Sequence, residues 1–221
     1  MGLQRPTTRR FEYDRAERWA DGVIHGLGIV LGLVAVGMLV AAMLPDPSPS
    51  DLIPALIYGV AMIAVLVISA AYNMWPISPV KWWLRRFDHA AIYVLIAGTY
   101  TPFLTRMGSA LIPQVVMVGV WAASLIGIIL KLALPGRFDR LSIGLYLVIG
   151  WSGVVLWDHI LVFPSATLWL LGAGALLYTT GVIFHVWDSL RFHNAIWHAF
   201  VLVATACHYG AVFSSVMTQS V

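Results

Sequence analysis

The sequence predicts an all-α integral membrane protein, a bundle of seven transmembrane helices with a cytoplasmic amino terminus and a carboxyl terminus outside. Three observations support this prediction. Of 221 residues, 60% are hydrophobic and 10% are charged, and the mean hydropathy is +0.86, which ordinary soluble domains do not approach. The apolar residues form seven runs of bilayer-spanning length. The basic residues are concentrated in alternate connections between these runs.

Each apolar run has about the twenty residues that a helix needs to cross the hydrocarbon core of a bilayer. Short connections rich in proline and glycine separate the runs, so we expect successive spans to pack as antiparallel neighbours. Residues 23–217 are therefore predicted to form one seven-helix membrane domain. The predicted spans are residues 23–44, 52–74, 87–106, 110–132, 141–162, 166–187 and 195–217.

Residues 1–22 form a basic segment before the first span and carry five arginines. Tyr13, Ala16 and Trp19 have helical spacing, which is typical of an amphipathic helix lying at the membrane interface. The alternative for residues 1–10 is a frayed basic tail. We expect no cleavable signal peptide, because a long polar stretch precedes an apolar run that is itself long enough to span the bilayer.

The distribution of basic residues predicts the orientation. Twelve of the thirteen Lys and Arg residues lie in the amino-terminal segment and in the second, fourth and sixth connections, whereas the opposite side carries only Arg106. By the positive-inside rule, the amino terminus is cytoplasmic. These basic residues are scattered between apolar runs and form no continuous patch, which argues against nucleic acid as a partner.

Polar side chains gather at one predicted membrane level near the cytoplasm. Glu17 begins a stripe on the first span, and Asp88 opens the third span. Ionisable groups inside a span are costly unless they face a protein interior, a cavity or a ligand. Three spans carry pairs spaced i, i+4, which share one helix face: Asp21 with His25, Ser69 with Asn73, and Asn194 with His198.

Each of these residues also has a purely structural interpretation. Glu17 is close enough to water to be an ordinary solvated residue. Asp88 is alternatively a helix-start anion paired with the arginines that precede it, which the helix dipole favours. His25 and His198 lie further into their apolar runs, where the alternative is a core histidine satisfied by hydrogen bonds.

Four strings stand out by their order and spacing: ERWADGVIHGLG, SAAYNMWP, FDHAAIYVLIAGTYTPF and HNAIWHAFVLVATACHYG. Through these strings the chain resembles the hemolysin III family, the bacterial branch of the progestin and adipoQ receptor superfamily. The strings extend over nearly the whole chain from Glu17 onward. The resemblance implies seven spans with a cytoplasmic amino terminus, in agreement with the charge count, and a location in the bacterial inner membrane.

The resemblance further implies a zinc ion near the cytoplasmic face. Its ligands are a His four residues after a Ser in the second span and an H-x-x-x-H pair in the seventh, with an Asp of the third span joined through water. Ser69, Asp88 and His198 match this pattern. Asn73 and Asn194 stand where the other two histidines are expected. Asp21 likewise replaces the usual Asn of the first-span motif.

These substitutions weaken the prediction of zinc, because imidazole is a strong zinc donor and an amide oxygen suits harder cations. We therefore expect the purified protein to carry less than one zinc per chain. Three alternatives remain: zinc in a site repaired by His193, His25 or His89; another divalent cation held by residues such as Asp88, Asp21, Asn73 and Asn194 around His198; or a metal-free, hydrogen-bonded polar core.

Two hypotheses for function follow, both with membrane lipid as the ligand. The first is a metal-assisted hydrolase of lipid amides or esters, in which Asp88 orients or deprotonates water and His198 is a ligand or base. Ser69 then hydrogen-bonds the developing oxyanion, and Glu17, Asp21 and His25 form a supporting polar cluster. The second is a non-enzymatic lipid-sensing or membrane-homeostasis protein. A pore-forming cytolysin has less support, because no span has a polar face along its full length.

Overall fold

The computed structural model describes residues 13–45 and 47–218, apart from the side chain of Arg140. The all-α prediction is confirmed, since this part of the chain contains helices and no strand. The helices are α1 (Arg15–Met43), α2 (Pro49–Met74), α3 (Pro79–Arg106), α4 (Leu111–Ala133), α5 (Asp139–Trp151), α6 (Trp157–Ile160), α7 (Ser165–Val186) and α8 (His193–Met217).

Helix α1 begins before the apolar run predicted from residue 23. The Asp14 side chain accepts a hydrogen bond from the Glu17 amide at 2.8 Å, and the Glu17 carboxylate accepts one from the Asp14 amide at 2.9 Å. This reciprocal capping box satisfies amide groups that a helix start leaves without partners. Residues 15–22 are therefore continuous with the first apolar helix. Residues 1–12 of the predicted interfacial segment lie outside the described residues.

Helix α3 also begins earlier than its apolar run, which was predicted from residue 87. Pro79 opens the helix, where the missing amide and the fixed backbone angle of proline are favourable. The added turns carry basic and aromatic side chains, and the Arg86 guanidinium lies 4.3 Å from the centre of the Trp83 ring. The start of α3 therefore extends the helix beyond its apolar part.

Six segments of the described chain are long and apolar enough to cross a membrane. They are α1, α2, α4, α7, α8 and the stretch Leu141–Ile160, which includes most of α5 and all of α6. Helix α3 has 28 residues but is less apolar. Tyr93 and Ala97 in its middle are both 0% exposed, because α3 packs against α2, α4, α5 and α8. A helix enclosed by other helices does not need an apolar surface on every side.

Helices α1 and α8, which are distant in sequence, pack against each other, and each has a second partner, α2 for α1 and α7 for α8. Close packing of α2 and α3 depends on Gly98, where an added Cβ would lie 2.8 Å from the Ala61 side chain. Small residues of this kind let membrane helices approach closely.

The fifth predicted span, residues 141–162, is interrupted rather than a single regular helix. A 3-10 turn over residues 152–156 separates α5 from α6. The Tyr100 hydroxyl accepts a hydrogen bond from the Gly153 amide at 2.7 Å and donates to the Gly150 carbonyl at 2.8 Å. Tyr100 of α3 thus satisfies backbone groups that the interruption leaves without helical partners.

The two ends of the bundle differ in charge. At the end here called the basic end, Arg85 contacts Asp139 and Arg191 contacts Asp14. At the opposite end, Arg106 contacts Asp51 at 2.9 Å and also donates to the backbone carbonyl of Ser215. This single arginine joins α2, α3 and α8, and its side chain is only 6% exposed.

Candidate functional site

Asp21 lies at the centre of a buried polar cluster near the basic end. One carboxylate oxygen is 2.5 Å from Nδ1 of His198. The other accepts a hydrogen bond from the Asn194 amide at 2.9 Å and lies 3.6 Å from Nε2 of His25. Asp21 is 4% exposed, His25 6% and His198 9%. These four residues are called the Asp21 cluster below.

The Asp21 cluster results from the i, i+4 spacing of its residues on α1 and α8 and from the packing of these two helices. Asp21 and His25 are four residues apart on α1, and Asn194 and His198 are four residues apart on α8, so each pair shares a helix face. Because α1 and α8 pack together, the two faces meet. The imidazole rings of His25 and His198 have centres 4.4 Å apart. The sequence predicted Asp21 as part of a supporting polar cluster and as one possible ligand of a harder cation. In the structure, Asp21 contacts every other member of the cluster.

The residues at the family's zinc positions bond to one another instead of converging as metal donors. The Asn194 amide donates to the Asn73 side-chain oxygen at 3.2 Å. The Asn73 amide in turn donates to the Ser69 backbone carbonyl at 2.9 Å and to its hydroxyl at 3.3 Å. An amide oxygen that already accepts a hydrogen bond is a poor replacement for imidazole. Asn73, Asn194 and His198 therefore do not fit a zinc ion.

Asp88 of α3 lines the same cavity as Ser69, Asn73, Asn194 and His198. The Ser69 hydroxyl is its hydrogen-bonding neighbour, and His198, His25 and Arg85 are nearby charged or titratable groups. The sequence had left open a simple pairing of Asp88 with the preceding arginines. In the structure, the Arg85 guanidinium donates its short hydrogen bond to Asp139, at 2.6 Å.

A cavity of about 370 Å³ connects these residues with the apolar interior. Near the basic end its wall is polar. Further along α3, α5 and α8 the lining becomes apolar. The polar part includes Ser69, Asn73, Asp88 and His198, and the apolar part includes Leu95, Ile96, Leu147, Val201 and Leu202. The cavity is therefore amphipathic: its charged and amide side chains lie toward the basic end, and the rest of its wall is mostly apolar. Thr99, Tyr100, Tyr178, Thr179 and His208 add isolated polar groups to that wall.

A second charged cluster, which sequence analysis did not identify, also lines the cavity at the basic end. The Asp139 carboxylate contacts Arg85 at 2.6 Å and Lys131 at 2.8 Å, and His89 lies 3.8 Å away. Burial alone raises the pKa of Asp139, but the Lys131 hydrogen bond and the charges of Arg85 and Lys131 outweigh burial and hold that pKa below its ordinary value. The four residues come from three helices, so no local spacing signals this cluster.

Glu17 stands apart from the Asp21 cluster, although the sequence grouped it with Asp21 and His25. Besides its part in the capping box, its carboxylate accepts a hydrogen bond from the Phe192 amide at 3.0 Å. Phe192 immediately precedes α8 and has a φ of 63°, a backbone conformation that non-glycine residues seldom adopt. Glu17 therefore connects the start of α1 to the start of α8.

Comparison with known proteins agrees with the predicted resemblance. The family profile "Haemolysin-III related" matches residues 14–209. The chain is 36% identical over 197 residues to "Hemolysin-3 homolog" of Bacillus subtilis (strain 168), covering 89% of this chain and 92% of that protein. It is 32% identical over 205 residues to "Hemolysin-3" of Bacillus cereus, covering 91% and 92%.

A more distant similarity reaches mammals. The chain is 27% identical over 221 residues to "Monocyte to macrophage differentiation factor" of Homo sapiens, covering 96% of this chain and 90% of that protein. No solved structure matches the chain significantly. The family profile extends over most of the chain, and two bacterial relatives exceed 30% identity over nearly their full length. The chain belongs to the hemolysin III family and is a multi-pass membrane protein of transmembrane helices.

Proposed function

We propose that this protein binds a membrane lipid in its cavity and hydrolyses an amide or ester bond of that lipid. The observation that supports this function best is the amphipathic cavity, which combines a long apolar wall with Ser69, Asp88 and His198 at one end. Its volume of about 370 Å³ falls in the range of small-molecule sites. An acyl chain would occupy the apolar part, with the polar linkage next to the three side chains.

The three side chains have complementary chemical roles. Asp88 is placed to orient or deprotonate the attacking water, and the proton it takes up passes to the amine or alcohol that leaves when the amide or ester bond breaks. His198, held through Nδ1 by Asp21, presents its other ring nitrogen to the cavity to position that water. The Ser69 hydroxyl donates a hydrogen bond to the oxyanion that develops at the carbonyl. No step is assigned to zinc at the family's positions, since Asn73 and Asn194 do not fit it.

Purified full-length protein should hydrolyse a fluorogenic ceramide or a fluorogenic acyl ester in detergent or in vesicles. Asp88→Ala and His198→Ala should each abolish turnover, and Ser69→Ala should lower kcat by about 10²–10³, as expected for loss of one oxyanion donor. His159→Gln serves as the matched control, because His159 belongs to α6 and lies outside the cavity lining. Retained turnover in both Asp88→Ala and His198→Ala would refute these roles.

The second candidate function is lipid sensing without hydrolysis. The hydrogen bonds from Asn194 to Asn73 and from Asn73 to Ser69 favour it, because a fully bonded polar core can hold a lipid headgroup without a metal. Native mass spectrometry separates the two functions. A sensing protein retains an intact lipid and releases no product, whereas a hydrolase converts the lipid added to it.

We also propose that the protein crosses the bacterial inner membrane seven times, with its amino terminus in the cytoplasm. The six apolar segments support it, as does the position of α3 among α2, α4, α5 and α8, which would make α3 the remaining span. The basic end then faces the cytoplasm, because Lys and Arg residues concentrate there. The polar end of the cavity would accordingly open on the cytoplasmic side.

A further inference from the structure

We propose that Asp21, His25 and His198 form a binding site for one divalent transition-metal ion, such as Zn²⁺. The site shares only His198 with the zinc positions implied by the family resemblance. Its other two donors come from α1, where the family pattern places an Asn at the position of Asp21. The metal site would thus have moved from α2 and α8 to α1 and α8.

The three residues already lie close together in a buried position. Each offers a carboxylate oxygen or a ring nitrogen, and these three atoms lie within 4.8 Å of one another. Asp21, His25 and His198 thus have the donor spacing that a metal site requires. The three side chains are each about nine-tenths or more buried, so bulk water competes little for them.

The ring of His25 gives a second, independent indication that this site takes a ligand. Its Nε2 is buried and has no hydrogen-bond partner among the described residues. The nearest carboxylate oxygen, from Asp21, is 3.6 Å away, too far for a good hydrogen bond. A buried polar atom without a partner requires an explanation such as an ion or an ordered water. The free nitrogen lies within the group formed by Asp21 and His198.

The donor set and the local charge both suit a zinc-like ion. Two imidazoles and one carboxylate are the ligand types of catalytic zinc sites, which keep a further position for water. The carboxylates of Asp21 and Asp88 both interact electrostatically with His25 and His198. A divalent cation would balance their two negative charges, so the buried site would be close to neutral if the imidazoles are uncharged.

Metal binding requires a modest rearrangement of side chains. Ligand atoms about 2.0–2.1 Å from a tetrahedral ion are ~3.4 Å apart. The contact between Asp21 and His198 at 2.5 Å would therefore lengthen, and the 3.6 Å separation between Asp21 and His25 would shorten slightly. The hydrogen bond to His198 would be exchanged for a bond to the ion. The third separation, between the donor nitrogens of His25 and His198, is within 4.8 Å and would also adjust toward ~3.4 Å.

Such an ion would add to the chemistry of the cavity. His25 and His198 both line the cavity, so a water on the remaining coordination position would border it, and metal lowers the pKa of a bound water. This contribution rests on the proposed hydrolysis, whereas metal binding itself does not. One ion per chain would exceed the zinc content expected from the sequence, which was less than one per chain because Asn73 and Asn194 replace two of the family's histidines.

Chelator-stripped full-length protein in detergent should be titrated with Zn²⁺ by calorimetry, and its metal content measured by elemental analysis after dialysis. We expect one ion per chain. Since loss of a supporting hydrogen bond alone costs 10–100-fold in affinity, His25→Ala and Asp21→Asn should each weaken binding by about 100-fold or more. The control His159→Gln should bind as the unmodified protein does. Unchanged binding in His25→Ala, or an absence of binding in the unmodified protein, overturns the site.

X-ray absorption of the Zn²⁺-loaded unmodified protein tests the site without any substitution. Two imidazoles should be detected at 2.0–2.1 Å, and a spectrum with one imidazole or none contradicts the proposal even if the variants fail to fold. These readouts use no lipid substrate. A protein that binds zinc but does not hydrolyse lipid therefore refutes only the proposed function, and the converse result refutes only the metal site.

Discussion

Nδ1 of His198 lies 2.5 Å from a carboxylate oxygen of Asp21, and this contact joins the first and the last long helix of the bundle. Both side chains are buried. Hydrogen bonds that involve an ionised partner are short and strong, and they become more valuable where water is excluded. The Asp21–His198 contact therefore orients His198 toward the cavity and also contributes to the packing of α1 on α8.

Removal of the Asp21 carboxylate should destabilise the protein. Asp21→Ala leaves His198 and Asn194 without their buried partner and should lower the free energy of unfolding by about 3–5 kcal/mol. Asp21→Asn keeps the shape and some hydrogen bonding, so about 1–3 kcal/mol is expected. Denaturation in mixed micelles, followed by tryptophan fluorescence, measures both values. Asp158→Asn, at an exposed position, is the control and should change stability by no more than about 0.5 kcal/mol.

Histidines at both family positions should rebuild a metal site that does not depend on His25. In a His25→Ala background, the double substitution Asn73→His and Asn194→His adds two imidazoles to His198, and a three-imidazole set is a strong zinc site. Elemental analysis should show zinc near one per chain in this triple variant and little in His25→Ala alone. Equal zinc content in the two proteins would show that residues 73, 194 and 198 cannot converge on one ion.

The Asp139 cluster predicts a loss of stability in acid. The folded pKa of Asp139 is below its ordinary value. Its carboxylate therefore contributes stability that is fully present above the unfolded pKa of about 3.9 and is lost as the pH falls through the folded pKa. Asp139→Asn should remove about 1–3 kcal/mol at pH 7, because Lys131 and Arg85 lose their shared partner.

The difference between Asp139→Asn and the unmodified protein should therefore stay constant from about pH 7 to about pH 5 and shrink as the pH falls through about 4 and below. Unfolding free energies at several pH values between about 7 and about 2 measure this convergence. A difference that stays constant down to about pH 2 would mean that Asp139 does not stabilise the fold through its charge.

The orientation can be tested with reporters fused to the chain. Because seven spans place the two termini on opposite sides, a reporter after Val221 should be active only in the periplasm, and one in the connection between α2 and α3 only in the cytoplasm. A cytoplasmic signal from the carboxyl-terminal fusion would contradict both the span count and the shared membrane level of Ser69, Asp88 and His198.

Much of the architecture was predictable because hydrophobic periodicity and helix spacing are local properties. Six of the seven apolar runs coincide with single helices to within a residue at an end, whereas the fifth is divided by a 3-10 turn. The four family strings agree with the profile match over residues 14–209. The i, i+4 pairs correctly indicated which side chains share a helix face. Two helix starts were less predictable, since Asp14 and Pro79 extend α1 and α3 with polar residues that an apolar count ignores.

The sequence by itself determined the membrane class, the family and the helix faces that carry the polar groups, because composition, motif order and spacing are properties of the linear chain. Only the tertiary structure decided which of these groups touch. The packing of α1 on α8 makes Asp21, rather than Asn73 or Asn194, the main partner of His198. It also leaves His25 with a buried nitrogen that has no hydrogen-bond partner in the part of the chain that the structure describes. Asp139, Arg85 and Lys131 likewise meet only because three helices converge at the basic end, and contacts between residues so distant in sequence depend on the packed fold.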